Sequence, residues 1–171
     1  MAEYGKHIVI DMNHVERGLA EFDKFSKDYE KAVEASTREC KERTKNKLLE
    51  NLGNYKLGGS SLARSIYALP THDGFEVGSY SGHADFVEFG TGTVGSNSPH
   101  PAPMENSWEY NIERTPKAHE NGGWWYYDDN GKRHWTKGQP SRPFIYNTWK
   151  WTNSRNGYVR IIRRHLRKLG L

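Results

Sequence analysis

His83-Ala84-Asp85-Phe86-Val87-Glu88-Phe89-Gly90-Thr91-Gly92 is a short apolar run closed by two glycines, and its reading decides the fold. It fits a strand that runs into a glycine-punctuated turn; a run this short also suits a turn of helix. A second stretch, Gly138-Gln139-Pro140-Ser141-Arg142-Pro143-Phe144-Ile145, reads as a turn feeding a helix, with Pro143 presetting φ for the first helical turn. Neither stretch has the layout of a catalytic site.

Working outward, Phe75, Val77 and Ser79 alternate with Glu76, Gly78 and Tyr80, a strand pattern. Gly58-Gly59-Ser60-Ser61 marks a turn, and Ser60 or Ser61 can cap a short helix through Ile66. Pro70 to Gly74 reads as another break. Thr91 to Ser107 holds Gly92, Gly95, Pro99, Pro101 and Pro103 without periodicity, so a mobile loop that orders in an assembly is expected. Trp124 to Tyr127 and Arg133 to Thr136 are the expected arms of a hairpin, because Asn130-Gly131 between them suits a type I′ turn.

The chain ends read as helices. His7 to Ile10 suits a brief extended piece, after which Asp11 or Asn13 can cap a helix. Val15, Leu19, Phe22, Tyr29, Val33 and Cys40 recur in steps of four and three, with Ser26 and Ser36 in the gaps. This is a narrow apolar stripe on a helix expected to reach Leu49 and end before Gly53. Such a helix lies on something: its own sheet, a neighbouring subunit, or both. Tyr158, Ile161, Ile162, His165, Leu166 and Leu169 make the apolar face of the last helix, after a weak point at Asn153 to Gly157. The sum is one α+β domain over 1–171: a long helix at about 11–50, a small antiparallel sheet with a β-hairpin and loops at about 70–140 (mobile at 91–107), and a C-terminal helix at about 143–170.

Hydrophobic residues make up only 35% of the 171, whereas aromatic residues reach 13%, which suits a small core and large polar surfaces that finish their burial on partners. The net charge of +4 is concentrated. Lys150, Arg155, Arg160, Arg163, Arg164, Arg167 and Lys168 lie in a tail without an acid. Helix electrostatics with a protein partner accounts for that tail, and so does a nucleic-acid contact. A lone Cys40 excludes an internal disulfide and is expected as a buried thiol. Met1 to Lys6 lacks the apolar run of a signal peptide, and no segment has the roughly 20 apolar residues that span a bilayer. A soluble protein made in a reducing cytoplasm is expected.

Candidate chemistry is thin. His83, Asp85 and Glu88 suggest a small hydrolase, but on a strand Glu88 points away from the other two. The eight histidines are scattered without metal-ligand spacing, so no metal and no cofactor are expected. Gly90 to Gly95 lacks the Gly-Lys-Ser/Thr ending of a phosphate-binding loop. The Trp124–Tyr127 cluster beside Lys132, Arg133 and Lys137 can stack on bases, but a hairpin packed on the core or an interface explains it as well.

The order of these segments resembles the HK97-type gene-product-ten-like family of tailed-phage tail-completion or neck proteins. The likeness runs from about residue 10 to 170. It rests on Gly59-Ser60-Ser61-Leu62-Ala63-Arg64-Ser65-Ile66, on Phe75 to Gly78, on His83 to Gly92 with its Glu88-Phe89-Gly90-Thr91-Gly92, and on Gly138 to Phe144 with its Arg142-Pro143-Phe144. His83 stands where the family usually has an aromatic residue, and Ile145-Tyr146 where it usually has a Pro-Ala step. The resemblance implies a virion structural protein of the head–tail junction, made in the host bacterial cytoplasm and not an enzyme. Its implied partners are tail terminator, tail tube or connector proteins, and further copies of itself. Phe86 or Phe89 with Phe144 is then expected to anchor both signatures to one core, and Arg142 to pair with Glu88. Contacts are expected at Val94, Pro99 and Pro101 in the loop and at Arg160, Arg163, Arg164 and Arg167 on the last helix. The alternative is a DNA-binding module using that basic helix.

Overall fold

A computed structural model of the chain describes residues 12–55, 57, 60–102, 108, 110, 122–127 and 130–170. The piece expected at His7 to Ile10 lies outside them. Helix α1 spans Met12–Asn54, 43 residues, and so is about 65 Å long at 1.5 Å per residue. That is roughly twice the width of a small domain. Only its second half is held. Ser36, Cys40, Thr44, Leu48, Asn51 and Leu52 are buried there at helical spacing.

Ser60 opens α2 (Ser61–Arg64), accepting from the Ala63 N–H at 3.2 Å. This short helix stops before Ile66, where it was expected to run through it. Ile66-Tyr67-Ala68-Leu69 is rich in strand-favouring side chains and has a partner within reach. It forms β1 (Ile66–Thr71), antiparallel to β2 (Gly74–Ser79) from Ile66↔Ser79 to Thr71↔Gly74. Pro70 therefore sits inside a strand rather than in a break, as a two-stranded ribbon permits.

His83 to Phe89 is not a strand. It forms helix α3 (Ala84–Phe89), which buries Ala84, Val87 and Glu88 and exposes Asp85 and Phe86. Burial at i, i+3 and i+4 is the helical period, and it overrides the brief alternation of the sequence. Gly90, at φ +80°, ends the helix with its N–H on the Phe86 carbonyl at 3.0 Å. The segment expected as a mobile loop begins as helix α4 (Gly92–Asn97), with irregular chain only from Ser98 to Ala102; residues 103–107 lie outside the described part.

Strands β3 (Trp124–Tyr127) and β4 (Arg133–Thr136) form the expected hairpin, Trp124↔Thr136 to Tyr127↔Arg133. It is a second two-stranded sheet, separate from the first. The last helix is broken where the sequence is weak, into α5 (Phe144–Thr152) and α6 (Tyr158–Arg167). A side chain at Gly157 would meet the carbonyls of Trp151 and Thr152, so this corner closes only around glycine. The fold is thus α+β, with small antiparallel sheets between helices at the two chain ends.

The core gathers Leu48 and Leu52 of α1, Leu62, Ala63 and Ile66, Ala84 and Val87 of α3, and Phe144 of α5. Leu52 and Phe144 are fully buried. A smaller contact joins α1 to α6, where Cys40 and Ile161 are buried and Thr44 Oγ1 lies 2.7 Å from the Tyr158 hydroxyl. The expected buried thiol is therefore present, and burial pushes its pKa up.

Candidate functional site

The stretches 83–92 and 138–145 lie against each other. Thr91 and Gln139 exchange main-chain hydrogen bonds, Thr91 N–H to Gln139 at 2.9 Å and Gln139 N–H to Thr91 at 3.2 Å. Val94 N–H reaches the Lys137 carbonyl at 3.1 Å, and Arg142 N–H reaches the Val87 carbonyl at 2.9 Å. Ser141 Oγ donates to the Glu88 carbonyl at 2.6 Å, and Gln139 Nε2 to the Phe86 carbonyl at 3.0 Å. The backbones come so close that a Cβ on Gly90 would lie 2.6 Å from the Ser141 nitrogen. A Cβ on Gly92 would lie 2.6 Å from the Lys137 carbonyl oxygen. Those glycines serve a close approach and not a phosphate.

Glu88 is the centre of this junction and is only 3% exposed. Its Oε2 accepts from the Ile145 N–H at 2.8 Å, and its Oε1 from the Tyr146 N–H at 2.9 Å. Both are first-turn amides of α5, which lack carbonyl partners within their own helix. Pro143, the residue before α5, makes no side-chain cap. A carboxylate from α3 therefore caps a helix more than fifty residues later in the chain, and its charge suits the positive end of that helix. Oε1 also lies 3.0 Å from His100 Nε2. His100 Nδ1 accepts from the Ala102 N–H at 3.2 Å, which assigns the proton to Nε2 and makes His100 the donor to Glu88. A buried carboxylate is thereby satisfied by three donors.

Two expectations are corrected here. Arg142 does not pair with Glu88 through its side chain; helix amides and His100 fill the carboxylate, and Arg142 reaches α3 through its main-chain N–H on Val87. Phe89 does not share the core of Phe144. It packs on His100 (4.9 Å between rings) and Trp108 (5.1 Å) in an aromatic cluster that Tyr146 joins through His100, while Phe86 is exposed. Val87 is the residue that meets Phe144 in the core. The cluster is tied back by Tyr110, whose hydroxyl donates to the Phe89 carbonyl at 2.9 Å, and by Trp108 Nε1 on the Gly90 carbonyl at 3.1 Å. His100, Trp108 and Tyr110 had no sequence signal, because their meaning depends on where Glu88 and Gly90 end up.

The hydrolase constellation is not assembled. Glu88 turns into the α5 terminus, Asp85 is exposed, and His83 borders a groove of about 680 Å³ together with Phe86, Trp124, Tyr126 and Gln139. Among the described residues no three His, Cys, Asp or Glu side chains cluster as metal ligands. No helix among them is long and apolar enough to cross a membrane.

The surfaces expected to make contacts divide. Pro99 and Pro101 are exposed and Val94 is half-buried against the junction. Arg160, Arg163 and Arg167 are exposed, whereas Arg164 is bridged to Glu39 of α1, which also holds His165 Nε2 at 2.9 Å and Arg43 Nε at 2.7 Å. The hydrogen bonds from Arg164 and then His165 pull the Glu39 carboxyl down to about 2. The hairpin rings are not core: Trp125, Tyr126, Tyr127 and Trp135 are exposed, with Arg133 stacked 4.2 Å over Trp125. A second run of apolar exposure is on the first half of α1, where Leu19, Phe22, Phe25, Tyr29 and Val33 face solvent. No protein-family model, curated protein or solved structure matches this chain.

Proposed function

We propose that this chain is a structural protein of a phage or prophage virion that acts at the head–tail junction as a tail-completion, neck or minor tail component. It works by docking and not by catalysis. The observation that carries the reading is the junction itself. The two stretches that resemble the phage family, Glu88 to Gly92 and Gly138 to Phe144, interlock through a buried cap and paired backbones. A signature whose residues hold a frame together suits an assembly protein, whose working surfaces lie elsewhere. The exposed rings on α1 and on the β3–β4 hairpin support the same reading, because contiguous apolar exposure marks interaction sites. Tail terminator, tail tube or connector proteins are the proposed partners, and the virion the proposed location.

The test is electron microscopy of lysates from a phage with a nonsense codon in this gene. Filled heads beside unattached or aberrant tails support the reading, and normal infectious particles defeat it. The DNA-binding alternative draws on Arg160, Arg163 and Arg167, which are exposed on one helix. Filter binding of duplex DNA across a salt series separates it, since phosphate contacts weaken steeply with salt.

A further inference from the structure

We infer that the first half of α1 is the docking face for α6 of a second copy of this chain. Leu19, Phe22, Phe25, Tyr29 and Val33 are exposed and fall within one sector of the helix at about 100° per residue. Acids border that sector on both sides: Glu16, Asp23, Glu30 and Glu34 on one flank, Glu21 and Asp28 on the other. The bases Arg17, Lys24, Lys27 and Lys31 lie on the back. An apolar strip with acidic margins calls for an apolar strip edged by bases.

Helix α6 carries one. It spends Ile161, His165 and Arg164 on α1 of its own chain. Val159, Ile162 and Leu166 form a neighbouring strip, with Val159 and Ile162 exposed. Arg163 edges it on one side, with Arg167 and Arg160 farther round on that same side, and all three are exposed. The contact already made inside the chain gives the chemistry: an acid of α1, Glu39, meets Arg164 and His165 of α6 beside buried aliphatic side chains. The outward strip of α6 repeats that pairing toward a neighbour. Because each copy has both faces, two copies can exchange them about a twofold axis, or several can follow head to tail. The inference stands apart from the phage reading, since it needs only this chain.

Sedimentation velocity and light scattering over a concentration series test it, with charge reversals at exposed positions. Asp23→Lys with Glu30→Lys on α1, or Arg163→Glu with Arg167→Glu on α6, each weakens self-association about tenfold or more. The chain carrying all four substitutions associates again, and so does an equal mixture of the two pairs. Lys24→Glu on the back of α1 leaves association unchanged. Circular dichroism checks that every variant stays folded. A monomeric wild-type chain overturns the inference. So does association that Phe22→Glu abolishes while the α6 reversal leaves it intact, which means that α1 pairs with α1.

Discussion

The two halves of α1 invert the usual expectation. The first half has the cleaner apolar pattern, and its rings stand in water; Phe22 is 67% exposed. The second half mixes Ser36, Thr44 and Asn51 with Cys40, Leu48 and Leu52, and all six are buried. Burial there follows the partners that the fold supplies, and each polar side chain makes a hydrogen bond. Thr44 Oγ1 donates to the Cys40 carbonyl at 2.8 Å and lies 2.7 Å from the Tyr158 hydroxyl. Asn51 Nδ2 donates to Thr148 Oγ1 at 2.9 Å, and Ser36 Oγ to the Val33 carbonyl at 2.9 Å. Periodicity tells which face of a helix wants company; only tertiary structure tells whether it has any.

That contrast can be broken from the held side first. Leu52→Ala opens a cavity in the core and is expected to lower unfolding free energy by about 2–5 kcal/mol in urea titration. Glu88→Ala leaves two helix amides and His100 without their acceptor, an expected loss of about 2–3 kcal/mol with fraying of α5 visible by hydrogen exchange. Asn51→Ala removes the link from α1 to α5, with an expected loss of about 1–2 kcal/mol.

Acid gives a smaller effect. The Glu39 carboxyl is held down to about 2 in the folded chain, so its bridge to Arg164 and His165 stabilises above the ordinary carboxylate range. That stability drains as pH falls from about 4.5 toward 2, and a water-screened site limits it to about 1 kcal/mol. Glu39→Gln flattens this part of the stability–pH curve. The smallest effect sharpens the comparison from the free side: Phe22→Ser in dilute protein is expected to change stability by no more than about 0.5 kcal/mol. A loss as large as that of Leu52→Ala means that Phe22 is covered within its own chain.

Local chemistry made part of the fold legible. Asn130-Gly131 and the flanking aromatic strands marked the β3–β4 hairpin, and Gly157 marked the break between α5 and α6, because each acts through its immediate neighbours. His83 to Phe89 misled because seven residues hold barely two turns of helix, and only the burial of Val87 and Glu88 together favours the helix. The importance of Glu88 and Phe144 was visible, but their roles were not. A cap whose donors come from Ile145 and Tyr146 has no local trace, and a guanidinium was the more obvious partner on paper.

The Thr91–Gln139 bridge brings the chain back to the point it left. The excursion between those residues is clipped to the frame at its two ends, and His100, Trp108 and Tyr110 fasten it again to Glu88, Gly90 and Phe89. Doubling such an excursion adds only about 0.6 kcal/mol of closure entropy. Evolution or an engineer can rewrite the exposed side chains of the β3–β4 hairpin to suit a new neighbour, while His100, Trp108 and Tyr110 stay to hold the helices beneath.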